Sequence, residues 1–322
     1  VTGADILAAI GMAAGELDVL QGSPPCASFS TAGKREKHWG KSKRYSDTNQ
    51  RTDDLFFEFV RILTGLQPRV FVAENVAGLT IGSAIGYFKE IMRALDGAGY
   101  HVRCKILDAQ WLGVPQSRRR AIFIGTRKDL EWEPAFPTPL PYQYTLREVL
   151  PHLARVVHDT SGSWGTGDVT EKPCPAITVG VNSVNANHYK VTPRGPEWLS
   201  EGGVAVLGAW EKLHPGEQSK KYLNLQRADM DSPSQCILAA NGKSTSIACT
   251  TVPHEPRRFT IDELRVVCSF PPDFQLTGSY AQQWERLGRA VPPLMMRAVA
   301  RVLRDGMFAK LKRTKRGFTE AA

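Results

Sequence analysis

The sequence predicts an α/β chain: an open, mainly parallel sheet with a smaller, loop-rich second domain. Three observations carry that prediction. Between residues 17 and 127, short apolar runs alternate with stretches of helical spacing, the pattern of β–α units. Past Arg127 the texture shifts to Gly, Ser, Asn, Thr and Pro, with prolines crowded between Pro134 and Pro141. The length of 322 residues and the hydrophobic fraction of 42% allow a sizeable core and two domains.

Each element follows from local chemistry. Residues 17–22 read as a short buried strand that ends in Gly22-Ser23-Pro24-Pro25. From residue 53 to 66, Leu55, Phe56, Phe59, Val60, Ile62, Leu63 and Leu66 fall on helical spacing, and Gln67-Pro68 stops the helix. Residues 70–73 form a buried strand ending at Glu74-Asn75. A helix over 84–95 is stopped by Gly97 and Gly99. Residues 100–107 and 121–125 read as strands on either side of a Gly113-Val114-Pro115 loop. Thr145 with Glu148, and Thr260 with Glu263, make capping boxes, the second for a helix carrying Leu264, Val267 and Cys268. Residues 176–179 and 236–238 are β-prone. The last helix starts near Pro293 and runs through Leu303.

Composition narrows the function. The net charge of +9 calls for a polyanionic partner. No apolar run reaches the length of a membrane span and no signal-peptide pattern appears, so a reducing cytoplasm is the expected compartment. Six cysteines lie far apart without a C-x-x-C pair, and there is no H-E-x-x-H, which argues against a disulfide scaffold and a metal site. The charge is clustered. Lys34, Arg35, Lys37, Lys41, Lys43, Arg44 and Arg51 crowd one polar stretch with Trp39 and Tyr45 between them. Such a loop, with Lys34 and Arg35 among its cations, suits phosphate clamping. The basic run from Lys310 to Arg316 reads as a solvated tail.

Four segments could carry chemistry. Pro24-Pro25-Cys26 places a cysteine beyond a strand end, where ligands of open sheets bind, and beside a basic loop that would favour the thiolate. A cysteine alone is more often structural. Glu74-Asn75-Val76 again follows a strand; a carboxylic acid there can protonate a ring nitrogen, or simply cap a helix. In Gln116-Ser117-Arg118-Arg119-Arg120, alternate residues of an extended segment share a face, so Gln116, Arg118 and Arg120 would point together at a carbonyl or phosphate. The plainer reading is a basic strand edge. Leu287-Gly288-Arg289-Ala290-Val291-Pro292-Pro293 is a tight turn into a helix, or plain punctuation.

Taken in order, these segments resemble the DNA cytosine-5 methyltransferase family. Pro24-Pro25-Cys26 resembles its nucleophile motif, Glu74-Asn75-Val76 its acid motif, and Gln116, Arg118 and Arg120 its Q-x-R-x-R motif. Residues 258–264 with Phe270-Pro271 resemble the segment after the target recognition domain, and residues 288–293 the final G-N-A-V-P-P motif. The resemblance implies a Rossmann-like S-adenosylmethionine-dependent methyltransferase sheet, formed by residues 1–130 and 285–322, with a target recognition domain over 131–284. It implies that Cys26 adds to C6 of a flipped-out cytosine in double-stranded DNA, that Glu74 serves N3, and that Arg120, supported by Arg118, serves O2. It implies cofactor contacts at Asp5, Ile6, Pro25, Leu55 and Val291, and DNA contacts at Ser28, Ser30 and Gln116.

The sequence departs from the family in two places. The glycine-rich motif for the methionine end of S-adenosylmethionine and the acidic ribose ligand are not found before Cys26, and only Asp5-Ile6 resembles the adenine-side motif. Arg289 stands where the family has asparagine. The expectation is a sheet incomplete at its N-terminal strands. A missing N-terminal segment of roughly 60–80 residues, or a complementary subunit, would complete it. The alternatives are a non-catalytic DNA-binding remnant and one part of a split methyltransferase. A nucleobase deaminase is excluded by the lack of its zinc signature. Restriction-modification is an expected context, beside a phage or an orphan role.

Overall fold

A computed structural model describes residues 1–24, 43–45, 48–50, 55–155, 199, 204–222, 224–239 and 250–309. The chain divides into two compact units: residues 1–108, 119–139 and 297–322, and residues 109–118 and 140–296.

In the first unit, helix α1 (Gly3–Ile10) starts at a capping box. The Thr2 hydroxyl accepts the Asp5 N–H at 3.2 Å, and the Asp5 carboxylate accepts the Thr2 N–H at 2.6 Å. Its Gly3 lies so close to helix α2 (Leu55–Leu66) that an added Cβ would sit 2.8 Å from the Cα of Gly65. Strand β1 (Val19–Gly22) follows α1, and a short antiparallel pair, β2 (Lys43–Tyr45) and β3 (Thr48–Gln50), precedes α2. Then come β4 (Val70–Val76), helix α3 (Ile85–Gly97), β5 (Tyr100–Asp108) and β6 (Arg119–Arg127).

The sheet order is β1-β4-β6-β5. Within this sheet β1 and β4 pair in parallel, and β6 runs antiparallel to both β4 and β5. β1, β4 and β5 therefore run the same way and β6 alone runs against them, so the expectation of a mainly parallel sheet is corrected only at β6. A parallel return needs a crossover of about a dozen residues or more, usually a helix. The link from β5 to β6, residues 109–118, contains only a short 3-10 turn and returns the chain directly, Asp108 opposite Arg119. β1 also differs from the buried strand expected: among the described residues it pairs only with β4, and Val19 is 37% exposed.

The core of this unit lies between the sheet and helices α2 and α3. Phe71 and Ala73 of β4, with Ala121 and Phe123 of β6, meet Phe56, Phe59 and Leu63 of α2 and Tyr87, Ile91 and Leu95 of α3. The aromatic rings meet edge to face, Phe71 with Tyr100 at 5.2 Å and Phe56 with Phe123 at 5.3 Å. Burial of each such ring contributes about 1.5–3 kcal/mol, which anchors β4 and the residues at its carboxyl end.

The second unit is built from short pieces. Helices α4 (Leu146–Val149), α5 (Val204–Glu211), α6 (Ile261–Val267) and α7 (Tyr280–Arg289) join the parallel two-residue strands β7 (Gln226–Arg227) and β8 (Thr250–Thr251). Helix α8 (Pro293–Val302) starts in this unit and ends in the first. Both expected capping boxes form, at Thr145 and Thr260. Leu146, Ile237, Phe259, Leu264, Val267, Trp284 and Leu287 make its main core.

Of the segment 287–293 expected as a tight turn into a helix, residues 290–292 form that link before α8, while Leu287, Gly288 and Arg289 are the last turn of α7, which carries its own capping box between Ser279 and Gln282. The β-prone stretch 236–238 forms no strand. Side chains satisfy its backbone instead: Arg118 and Trp284 donate to the carbonyls of Ile237 and Leu238, at 3.0 and 2.9 Å. Residues 176–179 lie outside the described residues. Among the described residues, no helix is long and apolar enough to cross a membrane, and no cluster of His, Cys, Asp or Glu could hold a metal.

Candidate active site

Glu74 lies near the carboxyl end of β4, and the register places Arg120 of β6 opposite Val76. Residues 74 and 76 share one face of the strand, so Arg120 is the diagonal neighbour of Glu74. Its Nε donates to Glu74 Oε1 at 2.7 Å, with the two side chains 14% and 10% exposed. Arg120 Nη1 also donates to the Arg119 carbonyl at 2.9 Å. This largely buried pair sets a carboxylate and a guanidinium side by side. It suits a heterocycle that presents a ring nitrogen next to a carbonyl oxygen.

Asn75, on the opposite face, is buried. Its Oδ1 accepts the Val76 N–H at 2.8 Å, and its Nδ2 donates to the Pro24 carbonyl at 3.1 Å. Sequence reasoning gave Asn75 no role of its own. The signal was available: an amide side chain one residue beyond an acid, opposite a Pro-Pro segment that has no N–H to donate.

In the second unit, Gln116 and Arg118 are 0% and 2% exposed. Gln116 Nε2 donates to the Cys268 sulfur at 3.3 Å, and its Oε1 accepts the Ile237 N–H at 3.4 Å. Arg118 donates to the carbonyls of Ile237 and Gly288, at 3.0 and 2.8 Å. The named strand begins at Arg119; Gln116 and Arg118 lie before it and, within the second unit, bond to Cys268, Ile237 and Gly288. Gly288 sits on α7 where an added Cβ would be 2.6 Å from Ala239 backbone atoms. Arg289, at the family's asparagine position, pairs with Glu285 one helical turn back.

Of the expected cofactor residues in the first unit, Asp5 is exposed at the start of α1 while Ile6 and Leu55 are half-buried. Backbone and side-chain hydrogen bonds from Thr2 hold the Asp5 carboxyl below its usual range, so it is an ionised acceptor. One of its oxygens takes the Thr2 N–H, and the carboxylate keeps lone pairs for an amino group such as that of adenine. In the second unit Val291 is half-buried in the turn before α8. Pro25, Cys26, Ser28, Ser30, Lys34 and Arg35 lie outside the described residues. Among described cysteines, burial pushes Cys104 up to about 12 and Cys268 up to about 11, so both are neutral thiols near pH 7.

Residues 5–305 match the family model for C-5 cytosine-specific DNA methylases. The chain is 32% identical over 291 residues to the Type II methyltransferase M1.HphI of Haemophilus parahaemolyticus, covering 88% of this chain and 68% of that protein. It is 27% identical over 287 residues to the Type II methyltransferase M.NgoPII of Neisseria gonorrhoeae, covering 86% and 74%. Among solved structures, it superposes on a putative DNA modification methyltransferase encoded within an E. coli prophage. There the TM-score is 0.60 and the identity 18%, with 95% of this chain and 83% of the other covered. For Spodoptera frugiperda DNMT2 the TM-score is 0.54 and the identity 15%, covering 94% and 82%. These two structures share its fold.

Proposed function

This chain belongs to the C-5 cytosine-specific DNA methylase family, and on that premise we propose how its residues carry out cytosine-5 methylation of DNA. Carbon 5 of cytosine is a weak nucleophile. The Cys26 thiolate adds to C6; the C5=C6 electrons move through C4 to N3, and Glu74 delivers the proton that N3 takes up. Arg120 donates to O2 and holds the Glu74 carboxyl in place. The resulting enamine is nucleophilic at C5. S-adenosylmethionine, when bound, supplies the methyl group for C5. Loss of the C5 proton to a base then expels the Cys26 thiolate, N3 returns its proton to Glu74, and the neutral aromatic ring is restored.

The reacting carbons are stacked inside a duplex, so the target base must be flipped out. That costs a few kcal/mol, which phosphate contacts from the basic stretch at Lys34 and Arg35, with Ser28 and Ser30, would offset. Asp5, Ile6 and Leu55 would hold the adenine side of the cofactor, and Pro25 and Val291 its reacting end. Gln116 and Arg118 act at one remove, by fixing backbone in the second unit. Residues 1–130 and 285–322 are assigned to catalysis and 131–284 to target recognition. The Type II relatives support a place in a restriction-modification system.

The observation that carries this reading is the Arg120–Glu74 pair at the end of β4, 2.7 Å apart. The test is transfer of a labelled methyl group from S-adenosylmethionine to duplex DNA by the full chain, compared with Cys26→Ser. Transfer by the first and none by the second is expected. No labelling by the unaltered chain favours the DNA-binding remnant, and labelling by Cys26→Ser removes Cys26 from the mechanism.

A further inference from the structure

The geometry points to Asn75 as a positioning residue for the nucleophile, acting through the Pro24 carbonyl; the inference rests on the role proposed for Cys26. β1 and β4 pair in parallel from Val19 opposite Val70 to Gly22 opposite Ala73, and there the ladder ends. Continuing that register brings Pro24 level with Asn75. Neither Pro24 nor Pro25 has an N–H, so the backbone offers no donor beyond Ser23 with which to prolong the ladder. The Asn75 side chain takes its place. Its Nδ2 donates to the buried Pro24 carbonyl at 3.1 Å, while its Oδ1 is itself fixed by the Val76 N–H at 2.8 Å. Asn75 is 3% exposed, so water does not compete for this bond.

Covalent geometry carries the constraint forward. The Pro24 carbonyl lies in the peptide plane that contains the Cα of Pro25. The ring of Pro25 locks its φ near −65°. Between the carbonyl held by Asn75 and the side chain of Cys26, only ψ of Pro25, φ of Cys26 and the cysteine χ1 remain soft. Two residues span at most about 7 Å, so a small rotation of the carbonyl moves the thiol by a comparable amount. β4 thus presents Glu74 on one face and, one residue later, holds from the other the carbonyl of Pro24, two residues before Cys26 in the sequence.

The test uses the full chain with DNA in which 5-fluorocytosine replaces cytosine throughout, in the presence of S-adenosylmethionine. Trapping is followed as a covalent protein–DNA band over time and over DNA concentration. Asn75→Asp keeps the shape and the acceptor but removes the donor; Asn75→Ala removes both and guards against misfolding caused by a buried charge. A misplacement of about 1 Å can cost about 100-fold in rate. The trapping rate constant should fall about 10- to 100-fold in both variants. The half-saturating DNA concentration and the rate of Cys26 alkylation by iodoacetamide, which needs no alignment, should stay within threefold. Trapping within threefold of the unaltered chain overturns the inference. So does a loss that matches the fraction of protein unfolded, or a parallel loss of alkylation, since either makes the role merely structural. Failure of the unaltered chain to trap at all overturns the proposed mechanism, and this role with it.

Discussion

Replacing Arg118 by methionine should unfold the second unit more easily by about 3 kcal/mol. The guanidinium is 2% exposed and donates to two buried carbonyls, those of Ile237 and Gly288, at 3.0 and 2.8 Å. Hydrogen bonds from a charged donor contribute about 1.5–3 kcal/mol each, so the gross loss is about 3–6 kcal/mol. Methionine recovers part of it, because a buried charge no longer has to be desolvated; hence about 3 kcal/mol. With a urea dependence of about 2 kcal/mol per molar, the midpoint falls by about 1.5 M. The assay is urea unfolding followed by fluorescence of Trp284, in a background where the other six tryptophans are replaced by phenylalanine; Trp284 sits in the same core and donates to the Leu238 carbonyl. Arg120→Met is the contrast: its partner Glu74 is in the first unit, and the midpoint read at Trp284 should hold within about 0.3 M, about 0.6 kcal/mol on the same dependence. A shift of under 0.3 M for Arg118→Met would refute the structural role assigned to Arg118.

Three further outcomes follow from particular contacts. Gly288→Ala forces a Cβ to within 2.6 Å of Ala239 backbone atoms, which cannot rotate away, so it should cost about 1–3 kcal/mol; an unchanged thermal midpoint would contradict the close approach. Burial pushes the Glu263 carboxyl up, but Arg257, the Thr260 N–H and His152 outweigh it and hold it below its ordinary 4.5. Its contribution to stability is therefore complete above about pH 4.5 and lost as pH falls through the lowered value. The urea midpoints of the unaltered chain and Glu263→Gln should differ at pH 7 and converge in acid; a gap that widens in acid reverses the sign and rejects the account. Glu74→Gln keeps a partner for Arg120 but cannot deliver a proton, so methyl transfer should fall at least 100-fold with DNA affinity within threefold; equal losses in both would argue against proton delivery.

Much of the first unit was legible because its signals are local. The 3.6-residue spacing of Phe56, Phe59 and Leu63 and the apolar run at Val70 gave α2 and β4 within two residues. Thr145-x-x-Glu148 and Thr260-x-x-Glu263 gave two helix starts. The reversed direction of β6 was not legible, because it depends on what residues 109–118 do rather than on the strand's own sequence. The bonds of Gln116 and Arg118 to Cys268, Ile237 and Gly288 were equally illegible, because those partners lie more than a hundred residues further along the chain. Helix α7 was missed because Gly288-Arg289 read as turn residues, although Ser279-x-x-Gln282 announced its start. Glu74 and Arg120 were found from motif order; that they pair comes from a cross-strand register that no single segment encodes. Asp5 illustrates two compatible readings, for it is both the third residue of a capping box and an ionised acceptor.

The central claim is that Cys26 forms the bond to the target base. The most direct measurement is peptide mapping, by mass spectrometry, of the full chain trapped on 5-fluorocytosine DNA with S-adenosylmethionine. The nucleotide, carrying one added methyl group, should be found on the peptide containing Cys26. A label on any other residue, or no covalent complex at all, would contradict the claim.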